Sequence, residues 1–171
     1  AKRIAQKNGE YVGSTAPYGY CVEKINGIYK LMVEPEAAKI VRRIFEEYAS
    51  GDGIQSIIDR LFEDRVHRIS DYNQYHHVYC QDGENLHQWG NSSIRAVLNR
   101  NNYYGDLVQR KYESRFQRGE KWCDILDESQ WIITPNAHEP IISRELFEKA
   151  QVRLKAAQQK ATKTTEGWED D

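Results

Sequence analysis

The chain has 171 residues, 39% hydrophobic and 29% charged, with 24 Lys/Arg against 26 Asp/Glu and a formal net charge of −2. That is the composition of a globular domain large enough to bury one sizeable core. It excludes a membrane helix, because no apolar run approaches the roughly 18–20 residues required. It also excludes a visible signal peptide, because no apolar stretch follows Lys2 and Arg3.

Three cysteines, Cys21, Cys80 and Cys123, are odd in number and widely spaced. They imply no disulfide framework and no C-x-x-C zinc knuckle, and they fit a reducing cytoplasm. The first residue is Ala1 and the only methionine is Met32, as expected for a segment of a longer protein. The small negative net charge hides an uneven distribution. The final stretch from Glu166 carries four acids and no base, whereas Arg95 to Lys121 holds seven Lys/Arg against three acids. Residues 34–64 are the acidic counterpart. One end of the domain is expected to be basic.

Ala1–Lys7 reads as the last turn of a helix, stopped by Asn8-Gly9. The arm that follows runs from Glu10 to Thr15, with Lys2, Arg3 and Lys7 upstream. It could lie in a minor groove or be an ordinary frayed terminus. Ala16-Pro-Tyr-Gly-Tyr20 is an aromatic turn, since Pro17 fixes φ and Gly19 permits a tight bend. Tyr18–Glu23 and Ile28–Val33 flank Asn26-Gly27, a strong hairpin signal. Glu34-Pro-Glu then starts a helix. Its stripe is Ala37, Ile40, Val41, Ile44, Phe45 and Tyr48, and Gly51 stops it. Gly53 opens a second helix with Ile54, Ile57, Ile58, Leu61 and Phe62 on one face.

Asp64–Gln88 lacks a period and holds four of the five histidines. It reads as a long loop or an insertion with its own short structure. His76, His77, Cys80 and His87 have spacings a metal could use, although histidines in a solvated loop are the plainer reading. Ser92–Arg100 is a short helix with Asn91 or Ser92 as N-cap. Ile94, Val97 and Leu98 form its apolar face. Ser92, Arg95, Ala96 and Asn99 form the other, with groups that suit a base edge or a phosphate. By periodicity alone it is an ordinary amphipathic helix. Tyr103-Tyr-Gly105 reads as an extended exit and Tyr104–Arg110 as a strand. Lys111–Lys121 is a basic hairpin tip or loop, and Trp122–Leu126 and Trp131–Thr134 are short strands. Ser143 caps a last helix with Leu146, Phe147, Ala150 and Leu154 inward. From Lys155 the chain drifts to a polar tail expected to fray.

No nucleophile elbow, Walker loop, H-E-x-x-H or dinucleotide fingerprint is present. His138-Glu139 precedes a proline in a turn and has no visible partner for general-base work. What remains is helical. The helix from Gly53 followed by Ser92–Arg100 has the polarity of a helix-turn-helix, with an unusually long connection.

Taken together, several motifs resemble the recombinase domain of large serine recombinases. They are Ala16-Pro-Tyr-Gly-Tyr20, the Glu34–Tyr48 helix, Gly51-x-Gly53-x-x-x-Ile57, Trp89-x-x-Ser92-x-Ile94-Arg95-x-Val97-Leu98-x-x-Asn101-x-Tyr103-x-Gly105, and His138-Glu-Pro-Ile-Ile-Ser-x-Glu-Leu-Phe147. The match runs from about Gly13 to Leu154, and Asp64–Gln88 departs from it by its length. The resemblance implies a bacterial or phage-encoded cytoplasmic recombinase. Its catalytic serine domain would lie upstream, its zinc ribbon downstream, and its self-association would use those absent domains.

The expected fold is α+β, helix-rich, with a helix-turn-helix-like core and small β-hairpins. Residues 1–12 would end an inter-domain helix and arm. Residues 13–154 would bind double-stranded attachment-site DNA, with 64–88 inserted, and 155–171 would be linker. No catalytic residue, cofactor or metal is expected in this segment. Ser92, Arg95 and Asn99 are the expected base-edge or phosphate contacts. Arg100, Asn102, Arg110, Lys111, Arg115 and Arg118 would hold backbone phosphates, and Lys2, Arg3 and Lys7 the minor groove. The rival readings are a protein-interaction module, favoured by the net charge, and a metal enzyme built on the loop histidines.

Overall fold

The computed structural model describes residues 2–13, 15–109, 111–114 and 123–166. Expectations for Arg110, Arg115 and Arg118 lie outside the described residues, as do the side chains of Lys2, Arg3 and Lys7. The fold is α+β. In chain order come α1 (Lys2–Lys7), β1 (Tyr20–Ile25), β2 (Ile28–Val33), α2 (Pro35–Ser50), α3 (Ile54–Glu63), α4 (Ile69–Tyr75) and α5 (Asn91–Leu98). After them come β3 (Leu107–Gln109), β4 (Tyr112–Ser114), β5 (Cys123–Ile125), β6 (Ile132–Thr134) and α6 (Arg144–Glu166). The strands form three antiparallel pairs, β1 with β2, β3 with β6 and β4 with β5.

The first pair turns at Asn26-Gly27, where both residues have positive φ (51° and 85°), the backbone that two-residue hairpins need. Pro35 opens α2 in its first turn, and Gly51 closes it at φ 125°. The α2 stripe read from the sequence is fully buried, from Ala37 to Tyr48. In α3, Ile54, Ile57, Ile58 and Leu61 are buried, but Phe62 is 41% exposed. It lies one residue past the stripe and so turns off the packed face. Ile94, Val97 and Leu98 of α5 and Phe147, Ala150 and Leu154 of α6 complete one core with α2 and α3.

Three local expectations are corrected. The N-cap of α5 is Gly90, with no side-chain cap bond, so neither Asn91 nor Ser92 serves. The stretch after α5 is a 3-10 turn over Asn101–Tyr104, not an extended exit. Tyr103 is pulled inward there, and its hydroxyl donates to the Tyr18 carbonyl at 2.7 Å. The sequence from Lys155 continues as helix to Glu166, because Ala, Gln and Lys all favour helix. Asp64–Gln88, read as a loop or as a stretch with its own short structure, has the latter. Val66 bridges to Tyr79, α4 lies between them, and His76 ends α4 with φ 61°. By contrast Ser143 caps α6 as expected, its Oγ accepting from the Leu146 amide at 3.2 Å.

Candidate nucleic-acid interface

α5 buries one face and leaves Asn91, Ser92, Ala96 and Asn99 exposed on the other. That division follows from the helical period, which puts Ile94, Val97 and Leu98 on the core side. Arg95 is half-buried, and its Nε donates to Asn91 Oδ1 at 2.8 Å. The Asn99 side-chain amide donates to the Arg95 carbonyl at 2.8 Å. Ser92, Arg95 and Asn99 therefore share one surface, with Arg95 and Asn99 already oriented by bonds within the helix. The Asp64–Gln88 segment does not cover this surface, whose Ser92, Ala96 and Asn99 stay exposed. It flanks it: Ile69 and Asn73, on α4, form one wall of a cleft of about 270 Å³ whose other walls include Ala96, Arg100 and Thr15.

Arg100 stands just past α5, exposed, and lines a second cleft of about 310 Å³ with Tyr11, Asn102 and Lys111. Among the described residues its guanidinium has no ion-pair partner. Lys111 is half-buried. Its Nζ donates to Asn101 Oδ1 at 3.2 Å and lies 4.7 Å from the Trp131 ring centre. Burial first, and then the positive charge of Arg100, pull the Lys111 ammonium below the ordinary lysine pKa, with Glu128 opposing. The two cations thus repel each other across the cleft, a strain that a bound anion would relieve. The Asn102 carbonyl is occupied internally: His138 Nε2 donates to it at 2.6 Å, beside the Tyr20 hydroxyl, which donates to the Glu139 carbonyl at 2.7 Å.

The arm before the aromatic turn forms the far wall of the second cleft. It is pinned by Gln109, only 8% exposed, whose Nε2 donates to the Glu10 carbonyl at 2.9 Å. Gln109 Oε1 in turn accepts from the Val12 amide at 3.3 Å. The Tyr11 amide donates to the Tyr29 carbonyl on β2 at 2.8 Å. Sequence reasoning missed Gln109, because a glutamine in a short strand carries no signal of a partner about a hundred residues away. It also missed Asn73, inside a segment without period.

His138 does sit in a structural turn, as its neighbours imply. Its ring packs edge-on against Tyr20 at 4.9 Å. The loop residues weighed as metal ligands do not come together. His87 Nδ1 pairs with Asp71 Oδ2 at 3.0 Å, and Cys80 Sγ contacts the carbonyls of Gln81 and Glu84 at 3.7 Å. His76 is exposed at the end of α4.

Two solved structures share the fold. One is the crystal structure of an LSR–DNA complex, with TM-score 0.52 and 19% identity, covering 90% of this chain and 36% of that one. The other comes from work on the sequence requirements of the Listeria innocua prophage attP site, with TM-score 0.52 and 18% identity, covering 90% of this chain and 49% of that one. The chain thus spans between about a third and a half of the length of the proteins it resembles. The Recombinase family model matches residues 35–157, a span that takes in α2 through most of α6. By that match the chain belongs to the Recombinase family.

Proposed function

We propose that this chain is the DNA-binding domain of a serine site-specific recombinase and that it recognises duplex attachment-site DNA. The parent protein would carry out integration, excision or transposition, with its catalytic serine and its self-association surfaces outside this chain. The observation that carries the reading is the placement of Arg100. It has no ion-pair partner among the described residues, and it forms part of both clefts beside the exposed polar face of α5. A phosphate backbone is the polyanion such a placement suits.

In this reading α3 supports α5, and α5 lies in the major groove. Ser92, Arg95 and Asn99 face base edges or phosphates. Arg100, Asn102, Arg110, Lys111, Arg115 and Arg118 hold phosphates, and Lys2, Arg3 and Lys7 follow the minor groove.

Mobility shifts on attachment-site and random duplexes, each across a salt series, test it. Arg95→Ala should cost about 1–3 kcal/mol on the specific duplex and relax sequence preference. Arg100→Ala and Lys111→Ala should weaken both duplexes alike, each lowering the salt slope by about 1. Absence of salt-sensitive binding to either duplex would instead favour a protein-interaction module, which the net charge of −2 would suit.

A further inference from the structure

His67, His77 and Glu84 lie together inside the Asp64–Gln88 segment, and none of them lines either cleft. Glu84 bridges the two rings, with His67 Nε2 at 3.0 Å from Oε2 and His77 Nε2 at 2.9 Å from Oε1. The three ligand atoms fall within 4.8 Å of one another. His67 is fully buried, and its ring stacks on Tyr75 at 5.0 Å and tilts against His77 at 5.4 Å. Its Nδ1 is buried with no hydrogen-bond partner. The backbone holds the group as well: the His67 amide donates to the Val78 carbonyl at 2.8 Å, and the Gln81 amide donates to Glu84 Oε2 at 2.8 Å.

The tautomer of His77 decides what the cluster lacks. Its Nδ1 lies 2.9 Å from the Tyr79 carbonyl oxygen. A carbonyl only accepts, so Nδ1 carries a proton and donates. In a neutral ring that leaves Nε2 as a bare lone pair, aimed at a carboxylate oxygen 2.9 Å away. Two acceptors do not sit at that distance without a cation between them. The cluster offers a carboxylate oxygen and two imidazole nitrogens.

The geometry points to a structural divalent-metal site, with His67 Nε2, His77 Nε2 and a Glu84 carboxylate oxygen as ligands to zinc. Two imidazoles and a carboxylate are a donor set zinc accepts, with bonds of about 2.0–2.2 Å and tetrahedral ligand separations near 3.3 Å. The present N···O distances, 3.0 Å from His67 to Oε2 and 2.9 Å from His77 to Oε1, would open by a few tenths of an ångström, and the two nitrogens, within 4.8 Å of each other, would settle around the same ion. Glu84 and His77 are half-buried, which leaves a side for water as fourth ligand. The Tyr79 carbonyl is the acceptor that fixes the His77 tautomer, the usual arrangement behind a metal-bound histidine. The ligands come from just after α3, just after α4 and the turn at Asp82-Gly83. The ion would therefore tie the ends of the segment together and hold α4 in place.

The test uses the 171-residue chain, stripped with a chelator and titrated with zinc chloride at about neutral pH, without DNA. Calorimetry or competition with a chromophoric chelator should give one zinc per chain and a raised melting temperature. His77→Asn and Glu84→Gln should each weaken zinc about tenfold or more, whereas His76→Asn and His87→Asn should bind as the parent does. Circular dichroism of the metal-free variants separates lost ligation from lost folding. Failure of the parent chain to take up stoichiometric zinc overturns the proposal, as does unchanged affinity in His77→Asn. So does a nitrogen NMR spectrum that shows His77 as imidazolium at neutral pH and unmoved by zinc, since a proton would then be the missing cation. DNA binding plays no part in the readout, so the proposal stands or falls apart from the function proposed above.

Discussion

Gly19 has φ 95° and sits where the aromatic turn meets the core. A Cβ there would lie 2.9 Å from Ile141 Cδ1 and 3.0 Å from Val41 Cγ2. Gly19→Ala therefore combines overpacking with a disfavoured left-handed backbone, and should cost about 2–4 kcal/mol. Urea unfolding should show the loss as a lower midpoint with an unchanged slope. His138 gives a pH dependence of predictable sign. Burial holds its pKa below the ordinary 6.5, against the opposing effect of its bond to the Asn102 carbonyl. The unfolded chain thus takes up the proton first as pH falls. The contribution is fully present above about pH 6.5 and is lost as pH drops from there toward the folded value. His138→Gln keeps a donor at the same reach and removes the titration. Its stability should fall less steeply than the parent's between about pH 7 and 5, as read by denaturation at each pH.

Among the elements, α2 and α6 are joined by a cap that no local pattern announces. The Arg153 guanidinium donates to the carbonyls of Tyr48, Gly51 (3.0 Å) and Asp52 (3.1 Å), and stacks 4.5 Å from the Tyr48 ring. It satisfies carbonyls at the C-terminus of α2 and places a positive charge at the negative end of that helix. Arg153→Met keeps most of the apolar stem and removes the donors, so about 1.5–3 kcal/mol of stability should go. Denaturant midpoints check this, and DNA affinity should hardly change. The α2 and α3 stripes were legible in the sequence because a 3.6-residue period reports burial directly, and the first hairpin was legible because Asn26-Gly27 demands its turn. The 3-10 turn at Asn101–Tyr104 was not, since Tyr103 is placed by a bond to Tyr18, 85 positions away. Nor was α4, whose short span offers too few turns for a period to emerge.

At the scale of the molecule, the candidate interface is put together from chain segments far apart in sequence. The exposed face of α5 was legible, because Ser92, Arg95 and Asn99 fall opposite the apolar residues. The clefts around Arg100 were not, since their walls come from the arm, α4 and β3. Gln109 is the joint between arm and body, through partners 99 and 97 positions away. Gln109→Leu keeps the volume but removes both hydrogen bonds. Left in place, the Glu10 carbonyl and Val12 amide would each cost about 1–3 kcal/mol unsatisfied. The cheaper response is for the arm to swing into water, so the global loss should stay below that sum. Amide exchange should accelerate at Val12 while the α2 and α3 core keeps its protection. An arm free to move must be ordered again on binding, so affinity for every duplex should fall together and sequence preference should persist. Loss of preference without loss of affinity would mean that the arm reads bases instead of supporting the cleft.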